Sequence, residues 1–326
     1  MRIILRRLGL YALTAWVAVT VTFILPRLMP GNPIQTLIGK LTGNVTAGEI
    51  RAIRLSFGLN FHQGILGQYF TYLNQLIHGH FGVSITLGAP VSSVLRETVP
   101  WTIGLIGLST IISFCVGTFA GAVLGWTRGS RFDSLIPTAT FFQAIPYFFL
   151  ATIMLLFFGL NLHWFPVLGA YSQNVTPGWD WGYISNVIRY GELPLISIVL
   201  SSIAGWMLGM RNMMITMIGE DFVLMAVAKG LPRRKVIMHA ARNAVLPSIA
   251  NLSLAIGLVV SGALLVELVF NYPGVGDLLL QAVFNEDYPL IQGIFLVITF
   301  TVLAANLIAD VVYLALDPRT RTEAAV

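Results

Sequence analysis

His78 and His80 stand two positions apart and could offer two imidazoles to a metal ion. No carboxylate or cysteine lies beside them, so the pair reads as polar residues of a surface loop and no metal site is expected. His62, His163 and His239 are scattered. The single cysteine, Cys115, excludes an intrachain disulfide and a cysteine-based metal cluster. No HExxH, GxSxG or GxxxxGKS/T pattern occurs, so no catalytic residue is expected, and the chain has no P-loop with which to hydrolyse ATP. The stretch AVAKGLPRRKVIMHAARNAVLP at 226–247 offers something else. Lys229, Arg233, Arg234, Lys235 and Arg242 are set there in a segment that breaks at Gly230-Leu231-Pro232.

The elements that must position this stretch are apolar. The 326 residues are 56% hydrophobic and 10% charged, with mean hydropathy +0.80. A soluble domain carries roughly 25% charged residues. Six runs are long enough to cross a bilayer: 8–29, 101–126, 135–160, 194–218, 247–270 and 289–316. The first lacks a small-x-small cleavage site and is long for a signal peptide, so it is read as an uncleaved helix. The fold class expected is therefore an all-α polytopic membrane protein with six transmembrane helices. Net charge +5 could suggest nucleic acid, but the basic residues lie between apolar spans rather than on one soluble face. Segment 271–288 has no lysine or arginine, whereas 219–246 holds the basic cluster, which places 219–246 and both termini in the cytoplasm.

The segment organisation follows. Residues 1–29 are a cytoplasmic N-terminus and first span, 30–100 an external segment, 101–316 a five-helix core, and 317–326 a cytoplasmic tail. In the external segment Thr46 with Glu49 looks like a helix start, and GILGQYFTYLNQLIHGHFG has the spacing of a short amphipathic helix. Trp164, Tyr171, Trp179, Trp181 and Tyr183 read as an interfacial aromatic belt, or as rings that also touch a ligand or partner. Gly117-x-x-x-Gly121-x-x-x-Gly125 and Gly205-x-x-x-Gly209 allow close helix approach, within this chain or to a second membrane subunit. Glu267 and Asp310 fall near span ends, within reach of interfacial water. Without an ionisable group near a span centre, a proton- or sodium-driven carrier is disfavoured.

Within 219–246, a short helix over 220–229 should end at Gly230 in a left-handed C′ position. Pro232 suits the first turn of a second helix that runs to about Leu246. Arg233, Arg234 and Lys235 then sit where the helix dipole disfavours cations by a few tenths of a kcal/mol each. An anionic lipid surface or an acidic groove on a cytoplasmic partner would explain them.

The sequence resembles the membrane permease subunits of ATP-binding-cassette importers, in the dipeptide/oligopeptide branch. EDFVLMAVAKGLPRRKVIMHAARNAVLP at 220–247 is similar to that family's EAA loop. LPRLMPGNP at 25–33, GHFGVSI at 79–85, NYPGVGDLLLQAVFNEDYPLIQG at 271–293 and LDPRTR at 316–321 are similar to its other marks, in order along the chain. The Glu-Ala-Ala that names the loop is replaced by Leu224, Met225 and Ala226. The resemblance implies a type I importer permease fold and transport without an ATPase site of its own. It implies a second homologous permease subunit, two cytoplasmic ATPase subunits that carry ATP and Mg, and an external solute-binding protein; no cofactor sits on this chain and no nucleic acid is involved. It implies a coupling helix at about 221–231, with Asp221, Ala226, Lys229, Gly230, Leu231, Arg233 and Arg234 toward the ATPase. It also implies a bacterial or archaeal cytoplasmic membrane. From helix position, Phe141, Phe142, Gln143, Trp206 and Asn251 are candidates to line the pathway. Peptide is the expected substrate; an oligosaccharide is the alternative, since sugars stack on aromatic rings.

Overall fold

The computed structural model describes residues 2–28 and 64–316. The Thr46–Glu49 helix start and the tail at 317–326 lie outside the described residues. Those described form helices, and the only β pairing among them is one isolated bridge, Val83 with Pro90. The helices in chain order are α1 (Arg2–Leu28), α2 (Ile65–Ile77), α3 (Val91–Trp126), α4 (Leu135–Ala144), α5 (Tyr147–Met154), α6 (Trp181–Ile218), α7 (Asp221–Ala228), α8 (Arg233–Ala244), α9 (Leu246–Val269), α10 (Val275–Phe284) and α11 (Tyr288–Leu316). Four carry apolar stretches long enough to span a membrane: Leu8–Leu25, Val91–Trp126, Trp181–Ile218 and Tyr288–Ile308. Helix α9, at 24 residues, is also long enough. Large exposed side chains such as Leu10, Trp16, Ile111 and Phe119 suit contact with lipid rather than water.

The expected third span is not one helix. Arg131–Ala144 and Tyr147–Asn161 meet at 99°. Pro146 lacks an N–H to continue the ladder, and its ring pushes Ile145 out of the helical region, to φ −85°, ψ 125°. The second arm ends as a π-helix, Leu155–Asn161. Pro100 and Pro194, in contrast, lie inside α3 and α6, which continue through them.

Two compact units divide the chain. The first comprises the described residues within 1–101 and 274–303. Its core gathers Val91, Leu95, Val275, Leu278, Ala282, Leu290 and Ile294. The amphipathic helix expected over 64–82 is α2. It docks through rings: Phe23 lies 5.1 Å from Tyr69 and 5.4 Å from Tyr72, and the Thr20 and Tyr69 hydroxyls are 2.7 Å apart. Two of the sequence marks meet here. Buried Asp287 accepts from Ser84 Oγ at 2.6 Å and from the Thr86 amide at 2.9 Å through Oδ2, and from the Leu290 amide at 3.2 Å through Oδ1. A buried carboxylate requires such charge-assisted partners, so GHFGVSI and NEDYPLIQG form one latch.

The second unit comprises the described residues within 102–273 and 304–326. Its long axis is α6, against which α4, α5, α8 and α9 pack. Gly117, Gly121 and Gly125 of α3 face α6 of the same chain. A Cβ on Gly117 would stand 2.7 Å from Trp206 Cβ, one on Gly121 would overlap the Met207 carbonyl oxygen, and one on Gly125 would stand 2.6 Å from Met214 Cβ. The glycine row is thus used for close backbone approach within the chain. The pair on α6 is not: Gly205 meets the Gln143 amide, and Gly209 faces open space.

Glu267 differs from expectation. It is 0% exposed, whereas Asp310 is half-buried. Close by in sequence, the Tyr272 amide donates to the Glu267 carbonyl at 2.8 Å. Burial pushes the Tyr272 hydroxyl up to about 12, with Glu267 and then Tyr183 adding to the shift. The Gly169 amide donates to the Phe270 carbonyl at 2.8 Å, and the Ser172 amide to Asn186 Oδ1 at 2.7 Å. These bonds fix the aromatic segment. Trp164, Trp179 and Trp181 stay exposed along it, and Tyr171 and Tyr183 pack 5.4 Å apart.

Candidate functional site

The site begins where α6 stops. Gly219 caps α6, and Glu220, extended at ψ 146°, starts α7 after a single turn. Asp221 in the first turn of α7 suits the positive end of the dipole. Eight residues later the helix closes in a Schellman motif. The Leu231 amide donates to the Ala226 carbonyl at 3.2 Å, the Gly230 amide donates to Val227 at 2.9 Å, and Gly230 takes φ +70°. Only glycine adopts that conformation without penalty. Pro232 is the N-cap of α8 rather than a residue of its first turn, because its ψ of 142° is extended.

Packing divides α7 into two faces. Val223 and Ala226, one turn apart, are buried against Val236, Ala240 and Ala244 of α8 and Met210 and Met214 of α6. Ala226, 7% exposed, therefore points into the chain's own core. The outward face belongs to Phe222, Leu224, Met225 and Val227, with Met225 57% exposed. Asp221, Lys229 and Gly230 are exposed beside them, and Leu231 is half-buried in the α7–α8 core. A helix that buries two small residues and exposes four large ones holds a sticky surface on a firm base. Leu224 and Met225, large apolar residues in a short segment between spans, were the sequence signal for that surface. They do not say which face is free, because in so short an apolar helix almost any side could be the buried one.

Arg233 and Arg234 are exposed in the first turn of α8, which holds no acidic residue. They border a groove that α8 shares with α3 rather than the outward face of α7. Helix α8 ends at Ala244, and α9 begins at Leu246 with Pro247 in its first turn, so one residue joins them.

The pathway candidates are divided. The Gln143 amide lies against Gly205, where a Cβ would be 3.3 Å away. Gln143 is therefore held at the break between α4 and α5, packed on α6. Trp206, the next residue of α6, turns toward α3 and meets Phe114 edge-on at 5.1 Å. Phe141 and Phe142 pack on each other at 5.6 Å, and Asn251 is exposed on α9. Broken helices at membrane depth are tolerated where they are covered by protein or line a watery cavity. Gln143, Ala144 and Pro146 are exposed at this break. The break itself was missed by hydropathy, since an apolar run scores the same bent or straight.

Residues 115–322 match the family described as binding-protein-dependent transport system inner membrane component. Among similar proteins is a probable peptide ABC transporter permease protein of Sinorhizobium fredii, 32% identical over 323 residues, 98% of each chain. A di/tripeptide transport system permease protein of Pseudomonas aeruginosa is 30% identical over 333 residues, again 98% of each. An oligopeptide transport system permease protein of Bacillus subtilis is 30% identical over 301 residues, covering 91% of this chain and 92% of its own.

Proposed function

Since this chain belongs to the family of binding-protein-dependent transport system inner membrane components, we propose that it is the membrane-spanning permease subunit of an ATP-driven peptide importer. The substrate class rests on the relatives, whose names specify peptides, dipeptides and tripeptides, or oligopeptides. They give the oligosaccharide alternative no support. The observation that carries the docking reading is the outward apolar face of α7, held on α6 by Val223 and Ala226.

In this reading a cytoplasmic ATPase subunit takes Phe222, Leu224, Met225 and Val227 into a groove, with Asp221, Lys229 and Gly230 at its edge. A second permease subunit and a second ATPase complete the machine, and an external binding protein delivers the peptide. ATP and Mg are bound by the ATPases. The chain crosses a bacterial or archaeal cytoplasmic membrane six times with both termini inside, an orientation supported by the basic residues between α6 and α9.

The packing supplies a route for force. A push on α7 passes to α6 through Val223 and Ala226 against Met210 and Met214. It passes to α9 through α8 and the single joint residue Val245. Both α6 and α9 pack on the broken α4–α5 pair, so motion at α7 is delivered to the Gln143–Pro146 break. That break is the proposed gate region, with Phe141, Phe142 and Asn251 as further lining candidates; Trp206 packs toward α3 instead.

Met225→Asp tests the docking reading. It places a charge on the free face without touching the α7–α8 core. The expected result is normal membrane insertion with loss of ATPase co-purification and peptide uptake. Uptake at the wild-type rate would refute the docking face, and uptake by the purified chain without ATP would instead favour a channel or carrier.

A further inference from the structure

A groove of about 860 Å³ runs between α3 and α8. Its walls are apolar and include Phe119 and Trp126 of α3 and Met238 of α8. Phe119 and Met238 are 74% and 64% exposed, so no other part of the described chain covers them. Three cations, Arg233, Arg234 and Arg242, border the groove, and no carboxylate lines it. None of the three is in an ion pair among the described residues.

Charge and position select the occupant. Arg233 and Arg234 lie in the first turn of α8, at the positive end of its dipole, where Pro232 makes no side-chain cap. Their placement opposes helix stability and concentrates positive potential at one end of an apolar trough. The Phe119 wall belongs to a membrane-spanning helix, and Trp126 is that helix's last residue, at the interfacial depth where tryptophans reside. The groove therefore offers hydrocarbon contact along one part and paired guanidinium groups at another. A soluble acidic peptide or free phosphate would match the arginines and leave the apolar wall uncovered. A molecule with an anionic head and an acyl tail satisfies both.

We propose that this groove is a binding site for an anionic phospholipid, whose phosphate sits on Arg233 and Arg234 and whose acyl chain lies along Phe119 and Trp126. The site is independent of the docking face on α7, and its occupancy would hold α8 against α3.

The test uses the full chain in phosphatidylcholine nanodiscs doped with phosphatidylglycerol brominated on its acyl chains. The difference between wild type and Trp126→Phe isolates Trp126 fluorescence. The expected result is saturable quenching at a mole fraction about tenfold lower for brominated phosphatidylglycerol than for brominated phosphatidylcholine. R233Q/R234Q should remove the preference, while R233K/R234K, which keeps the charge, should retain most of it and shows that the loss is not misfolding. Equal quenching by the two lipids, or a preference that survives R233Q/R234Q, overturns the proposal. So does Trp126 shielded from both lipids, which would assign the groove to a protein partner.

Discussion

Gly121→Ala and Gly209→Ala should act in opposite directions, although both glycines belong to four-residue repeats within spans. At Gly121 the new methyl would overlap the Met207 carbonyl oxygen and stand 2.8 Å from Met210 Cβ and 3.1 Å from the Arg211 amide nitrogen. Comfortable carbon contacts lie near 3.5–4.0 Å. Two of the three obstructing atoms are backbone of α6, so no rotamer relieves the overlap, and α3 and α6 must separate by about 1 Å. Overpacking of this kind costs about 1–3 kcal/mol. The gain in helix propensity from glycine to alanine returns about 1 kcal/mol, leaving a net loss of up to about 2 kcal/mol. At Gly209 nothing lies within 4 Å, so only the propensity gain remains. The pair should differ by the overpacking cost alone, about 1–3 kcal/mol, or roughly 2–12 °C in melting temperature at about 2–4 °C per kcal/mol. Tryptophan fluorescence during a thermal ramp, in one detergent, reads the difference. Equal melting temperatures for the two variants would refute the close approach of α3 to α6.

Gly230→Val should abolish uptake while leaving the protein in the membrane at wild-type levels. The residue needs φ +70° with open space around it, so the penalty is conformational, about 1–2 kcal/mol or more for a β-branched side chain. Gly230→Asn should retain most activity, and uptake by the valine variant equal to wild type would show that the turn is not needed. Tyr272 contributes to the fall of stability at alkaline pH. Its folded value near 12 lies above the ordinary 10, so its contribution is complete below pH 10 and falls as pH rises toward 12, where only the unfolded chain has already ionised. Tyr272→Phe should flatten the fall in melting temperature across that window; an unchanged slope would show that the Tyr272 hydroxyl is not held neutral by its site.

Much of this protein was legible along one dimension. Hydropathy placed α1, α3, α6, α9 and α11, because burying twenty apolar residues needs only length. Gly230 and Pro232 announced the turn between α7 and α8 because their backbone preferences are local. The amphipathic spacing of α2 was visible for the same reason. What the sequence left open were choices between partners. The row Gly117–Gly121–Gly125 could have met this chain or another; its Cβ positions are filled by α6. The spacing of Gly205 and Gly209 is the same, yet one abuts Gln143 and the other faces open space. Ser84 and Asp287 stand 203 residues apart and form one latch that no local pattern announces. Ala226 and Met225 are neighbours in the apolar run Phe222–Ala228, and only packing against Val236 and Met214 turns the first inward and leaves the second free. Local preference fixes where the chain turns and which segments enter the membrane. Which face of each segment is covered depends on atoms distant in sequence, and tertiary structure alone decided it.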